Sequence, residues 1–472
     1  MKRLTAYIIS AMLCLSAAAR QKDSLGVTAK AVILQDPAVE AAYGPLGEMA
    51  PAMRILVPVP GCSSAGAGVV YMDGGRALIP EEGKGVILGR FDAQSLLRRG
   101  SDTALRGKVS YRRGKKTGVS ENLTANYLLL RPYVLRDTLC GDLQHESYCF
   151  SGGWSHRVKK LLFDIGGEYE ATHEYRSVDP RPRDISSDFK VDGSIGLDTG
   201  AADILWGVGY RRYSQSQNVV FMKESGANTA LFHATGLGND YVRFRSTGVF
   251  AATRYAGQGV RTCMTLLGAQ KKFAVGVSYE YMAVTRYLSN QNDAPLTKLH
   301  INALAANLSY RFNHMAVLLA EASYEHKAGE ENVIDCAAAG IYNRLLSLGM
   351  YSSDRVLARV SAVTIFRGWA FTPRLTFYHG RESYLYPAAS QKYSMLYGDV
   401  DVSYRRVSGK WFYKTALDAG YGKGYALGSI AAFVQREINS SMAVFVKAGT
   451  GVLALEGGAL RYGCELNMGI SF

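Results

Sequence analysis

Arg461-Tyr462-Gly463-Cys464-Glu465-Leu466-Asn467-Met468-Gly469-Ile470-Ser471-Phe472, at the end of the chain, splits by parity into two chemistries. The even positions are Tyr, Cys, Leu, Met, Ile and Phe; the odd ones are Arg, Gly, Glu, Asn, Gly and Ser. Successive side chains of a strand point to opposite faces, so these residues make one apolar face and one small or polar face. A strand lying between lipid and a wet lumen needs that division along its whole length.

The same alternation recurs upstream. Leu161, Phe163, Ile165, Gly167 and Tyr169 oppose Asp164, Glu168 and Glu170. Phe189 to Leu197, Ile204 to Tyr210, Phe273 to Tyr281, Val400 to Tyr404 and Trp411 to Ala419 repeat it at odd or even positions. A slip of one residue would turn carboxylates toward lipid, so the pattern fixes which face is which. The expected fold is all-β: a transmembrane antiparallel β-barrel of about 16–18 strands, with 14 as the alternative, behind an irregular N-terminal segment. Seventeen strands are expected from residue 104 onward, with Gly85 to Ala93 as a candidate eighteenth. Short turns, among them Arg113–Gly118, are expected in the periplasm and long connections, among them Thr172–Asp188 and Tyr287–Lys298, outside. Lys327 to Asp354 disturbs the alternation and is expected to form an extracellular excursion or a hairpin pair. Tyr111, Tyr169, Tyr210, Tyr281, Tyr404, Trp411 and Phe472 lie near strand ends, where amphipathic rings suit the membrane interface.

Three regions are expected. Residues 1–19 combine Met1-Lys2-Arg3, a short apolar run and an Ala-x-Ala site, which reads as a secretory signal peptide. Residues 20–100 hold six of the twelve prolines between Pro37 and Pro80 and read as a plug or a periplasmic extension. Residues 101–472 are the barrel. The composition agrees, with 50 Gly, 30 Tyr and 11% aromatic residues. Cys140 and Cys149 flank one polar loop, either as free thiols or as a bridge.

The lumen-facing candidates are Arg106, Lys108, Arg112, Glu168, Glu170, Asp192, Glu280, Asp399, Asp401, Arg405, Lys414, Asp418 and Glu465. Their mixed signs favour a network in the wall or around a plug over a one-sign selectivity filter. Among the eight histidines none joins a Ser/His or Asp/His signature, so no enzyme is expected. No cysteine spacing suggests a metal, and no cofactor is expected. The net charge of +14 on a secreted, alternating chain points to anionic lipid head groups or an anionic solute rather than nucleic acid. Gly236 and Gly238 lack the strand and helix of a phosphate loop; the connection Val219 to Asp240 is expected to fold over the barrel mouth or to dock a partner.

The row Tyr462, Leu466, Met468, Ile470 and Phe472 resembles the C-terminal strand by which outer-membrane barrels are recognised for insertion. The barrel-assembly machinery and outer-membrane lipid are therefore expected partners, and the outer membrane of a Gram-negative bacterium the expected location. Residues 100–472 resemble a Bacteroidota family of outer-membrane β-barrels of unknown function. The local pieces carrying the resemblance are Gly107-Lys108-Val109-Ser110-Tyr111, Ser147 to Gly153 and Gly236 to Tyr241. It implies a component of an uptake system. Two functions stay open: a channel or transport-associated barrel for a small solute, or a docking barrel for a surface lipoprotein or a TonB-dependent receptor.

Overall fold

The computed structural model describes residues 26–41, 43, 50, 53–56, 60–222, 231–245, 250–268, 270–313, 315–335 and 342–472. Residues 1–19, expected to be a signal peptide, lie outside them. Eighteen strands form one closed antiparallel barrel. In chain order they are β1 (Cys62–Gly74), β2 (Gly85–Arg99), β3 (Thr103–Val119), β4 (Gly141–Val158), β5 (Leu161–Tyr175), β6 (Arg181–Asp198), β7 (Ala202–Val220), β8 (Thr253–Gly268) and β9 (Phe273–Leu288). The circuit continues with β10 (Ala294–Arg311), β11 (Ala316–Ile334), β12 (Arg344–Phe366), β13 (Trp369–Tyr384), β14 (Ala389–Ser408), β15 (Trp411–Gly422), β16 (Tyr425–Asn439), β17 (Met442–Leu455) and β18 (Leu460–Ser471). β18 pairs with β1, with Ile470 opposite Ala65 and Cys464 opposite Tyr71, so no edge remains.

Large apolar side chains cover the outside: Ile165, Trp206, Val208, Leu417, Leu466 and Met468 are all exposed there. A closed barrel with this exterior spans the outer membrane of a Gram-negative bacterium; open edges or unpaired backbone would be too costly in lipid. Tyr210 and Tyr281 flank Val260 in register at one end of the apolar band. At the other end Trp369 packs on Tyr404 at 4.8 Å, and Trp411 lies beside Tyr413. The end carrying the tight turns 159–160, 409–410 and 440–441 is periplasmic by the usual asymmetry of such barrels.

Three expectations change. First, β1 and β2 arise from the segment set apart as Pro/Gly-rich, so the barrel starts at Cys62 rather than at 101. The prolines sit outside these strands, and the glycines serve the closing seam. A Cβ on Gly68 would lie 2.3 Å from the Leu466 carbonyl oxygen, so only glycine fits that approach. Second, Arg113–Gly118 is not a turn. β3 runs straight through it, with Gly114 opposite Leu88, leaving sixteen strands from Thr103 onward rather than seventeen. Third, of the two alternatives for Lys327–Asp354 the excursion is the one that falls: its described residues are the outer ends of β11 and β12, which pair with each other from Thr364 with Ala316 to Arg344 with Ile334.

The long connections expected at 172–188 and 287–298 are also mostly strand. β7 shows why. Its outward residues are Trp206, Val208 and Tyr210, then Arg212, Ser214, Ser216 and Asn218, all exposed. The strand continues past the lipid, where its outer face becomes polar and the two-chemistry signal ends while the pairing does not.

Cys140 and Cys149 are both free thiols.

Candidate functional site

Two pieces of chain occupy the lumen, one at each mouth. At the periplasmic mouth lies α1 (Val27–Leu34), an Ala- and Leu-containing helix touching β15, β16 and β17. Arg405 of β14 donates to the carbonyls of Val32 and Gln35 at 3.4 and 3.3 Å and pairs with Asp36 at 3.5 Å. A cation is favourable there, where helix carbonyls lack partners. Lys414 donates to the Gln35 side chain at 3.3 Å, and Gln435 to the Val27 carbonyl at 3.5 Å. Asp36 then caps a second helical turn through the Ala38 N–H, with Pro37 in the first position. Ala38, Tyr43, Ile55 and Leu56 pack on Leu162, Leu205, Leu267 and Val317 of the wall.

At the outer mouth the connection after β3 turns inward and forms α2 (Tyr127–Leu130). Residues 231–245 join it: Leu135 pairs with His233, and the Ala234 N–H donates to the Val134 carbonyl at 2.9 Å. Tyr127, Leu130, Tyr133 and Ala234 pack on Tyr213, Tyr255, Met282, Leu299, Tyr351 and Tyr384 of the wall. Several wall residues bind the backbone of this outer plug. Lys327 of β11 donates to the carbonyls of Leu128 and Leu129 at 2.9 and 3.2 Å. Arg286 of β9 reaches the Val134 carbonyl at 3.3 Å and His233 Nδ1 at 3.0 Å, with its guanidinium over the Tyr255 ring. Tyr255 donates to the Tyr133 carbonyl at 3.1 Å, and Arg131 pairs with Glu382. Lys327 and Arg286 are each only 1% exposed. Among the described residues neither forms an ion pair with a carboxylate, so the plug's carbonyls compensate their desolvation.

Of the shifted groups of the outer plug, His233 and Asp137 bear on behaviour near neutral pH. Burial, then the Arg286 charge, holds His233 well below the usual imidazole range. Burial pushes Asp137 up to about 6, although Arg176 stands 3.3 Å away.

Beneath the outer plug lies a chamber of about 380 Å³. Leu128 and Leu129 face it from above; Arg112, Ser147, Glu170, Thr172, Asp188 and Lys190 face it from the wall. Most of its charge is neutralised internally. Lys116 meets Glu82 at 3.0 Å and Glu174 at 2.9 Å; Arg211 meets Asp188 at 2.7 Å; Lys190 meets Glu168 at 2.9 Å.

The sequence candidates therefore divide. Arg112 and Glu170 line the chamber. Arg106 binds Asp164 and lies 3.7 Å from Asp192; Glu280 meets Arg211 at 3.1 Å. Arg374, which was not a candidate, joins Asp399 and stands 3.4 Å from Asp418. Glu465 meets Lys447 at 2.6 Å and Arg90 at 3.4 Å. Lys108 and Asp401 form no ion pair among the described residues, and Asp401 stands opposite Asp418 in register. Arg405 and Lys414 hold the inner plug. Tyr462, Leu466, Met468 and Ile470 lie on the lipid-facing surface. Arg286, Lys327, Arg131 and Glu382 were missed. For the three on strands the only signal was parity: they are charges on the inward face at the outer ends of their strands.

A family of unknown function, DUF6850, matches residues 51–444. The chain belongs to this family. No curated protein matches it. Among solved structures it is similar to the ferric preacinetobactin receptor BauA of Acinetobacter baumannii, at 8% identity and a TM-score of 0.39, covering 87% of this chain and 80% of that one. The ferric yersiniabactin receptor FyuA of Yersinia pestis gives 10% identity and 0.41, covering 85% and 64%. The CymD monoaromatic hydrocarbon channel gives 9% identity and 0.34, covering 95% and 97%. The DUF6850 chain has in common with all three a barrel layout, and likeness at this level carries nothing further.

Proposed function

We propose that the protein is a gated outer-membrane transport barrel for a small polar solute rather than an open pore. The observation that carries this reading is the polar chamber lying between two lumenal plugs, each held by wall side chains that bind plug backbone. Bonds to carbonyls hold a segment without demanding a particular side chain on it, and with charged donors they contribute about 1.5–3 kcal/mol net each, few enough in number to be broken together. A segment held this way can leave and return. Liposome swelling tests the reading. Intact protein should admit small sugars or peptides slowly, and Arg286→Met, which frees Val134 and His233, should raise the rate several-fold. Equal rates in the two proteins, both shown to be folded, would contradict it.

A second reading, a docking barrel, is favoured by one separate observation. Beyond the membrane the β11–β12 hairpin exposes Val333, Leu345, Leu346 and Leu348, and the neighbouring β13–β14 turn exposes Leu385 and Tyr386. Contiguous exposed apolar surface of this kind marks interaction sites. A surface lipoprotein or a TonB-dependent receptor is the proposed class of occupant. A photo-crosslinker at Leu346 in intact cells should yield one discrete adduct; a diffuse smear or none would count against docking.

A further inference from the structure

Among the described residues, the chamber's charges leave one cation and one anion without a partner. Lys116, Lys190 and Arg211 are each matched by a carboxylate at 2.7–3.0 Å. His145 lies 2.7 Å from Glu174. Arg112 and Glu170 have no ion pair or hydrogen bond among the described residues, yet both side chains line the chamber. Register sets their spacing. Arg112 lies opposite Ser147 of β4, Ser147 lies opposite Thr172 of β5, and Glu170 is two residues along β5. Two inter-strand steps and the two-residue offset together put the two backbones about 12 Å apart; three extended residues span about 10 Å, and the Arg112 and Glu170 side chains reach across the remainder. Between the two charges stand the Ser147 and Thr172 hydroxyls, which can bond amides; Leu128 and Leu129 supply an apolar roof. The volume, about 380 Å³, falls within the range of small-ligand pockets.

We infer that the chamber takes a zwitterionic solute of short-peptide size, its carboxylate on Arg112 and its ammonium on Glu170. A guanidinium suits a carboxylate through paired N–H donors. A purely anionic solute would leave Glu170 opposed by nothing, and a purely cationic one would do the same to Arg112. Among the other charges that line the chamber, Lys116, Lys190 and Arg211 balance Glu82, Glu174 and Asp188, three of each sign. This inference rests on reading the lumen as a solute path, but equilibrium binding tests it separately from passage.

Isothermal titration of the intact protein in detergent with trialanine, N-acetyl-trialanine and trialanine amide is the test. Trialanine should bind, and blocking either end should weaken binding on the order of tenfold. Arg112→Gln should abolish the penalty for amidation and keep that for acetylation; Glu170→Gln should do the reverse. Both changes are polar, at accessible lumenal positions, and a heat-modifiability gel reports whether each barrel is folded. Equal binding of free and blocked peptides would overturn the inference, as would variants that keep both penalties. So would absence of trialanine binding both in the intact protein and in Lys327→Met, where the carbonyls of the roof residues Leu128 and Leu129 lose their donor. Binding without liposome passage would sustain the ligand class and contradict the transport reading. Passage without end discrimination would do the opposite.

Discussion

Arg286 and Lys327 show how much one residue's meaning depends on what comes to meet it. In the sequence each is a charge in an alternating stretch, and parity alone puts it on the lumenal face. That Lys327 would bind carbonyls of α2, almost two hundred positions away in the chain, is set by tertiary packing that no local pattern encodes. By contrast, Ile430 is legible from its neighbours: it is exposed on the lipid-facing side of β16, while Ser429 faces inward opposite Asp418. Ile430→Arg should cost about 2–4 kcal/mol near the bilayer midplane. Ser429→Arg places the same charge beside a carboxylate and should cost much less. Urea titrations of the refolded barrel in lipid vesicles would measure both, and equal losses would refute the assignment of faces.

At the scale of elements, the strands were legible only where both faces kept their chemistry. Leu161 to Tyr169 satisfied that, and β5 is where alternation placed it. Arg113–Gly118 did not: its run of charges resembled a turn, although it pairs continuously with β2. β1 was hidden because glycine and proline in Pro58 to Gly68 suggested flexibility, whereas Gly68 is required by close packing. The outer plug has a pH dependence that follows from its buried groups. His233 has a lowered pKa when docked, so its contribution to docking is present above about 6.5, the ordinary imidazole value, and is lost as pH falls below it. Asp137 has a raised pKa, so its contribution is present at low pH and lost as pH rises through about 6. Arg286 and Arg176 are the charges that face them. His233 and Asp137 act in opposite directions as pH falls, so the His233 contribution is read by difference: between pH 7.5 and pH 5, proteolysis within residues 120–140 should quicken more, or slow less, in the parent protein than in His233→Gln. An unchanged pH profile in the variant would show that His233 does not control docking.

For the whole molecule, closure of β18 on β1 gives a barrel whose wall is continuous and whose two mouths are each entered by the chain's own segments. The architecture could be argued from alternation because lipid imposes the same demand on every strand. The lumen could not, because the charges facing it obey no period: Arg405 and Asp399 lie on the same inward face of β14, one holding a helix and the other an ion pair in the wall. Single-channel recording in planar bilayers tests the central claim, that both mouths are closed. The intact protein should be silent or show rare, brief openings. Removing residues 26–60 together with Arg286→Met and Lys327→Met should give steady conductance from a barrel that still shifts on a heat-modifiability gel. Steady conductance from the intact protein, or silence from the folded, doubly opened one, would contradict the account.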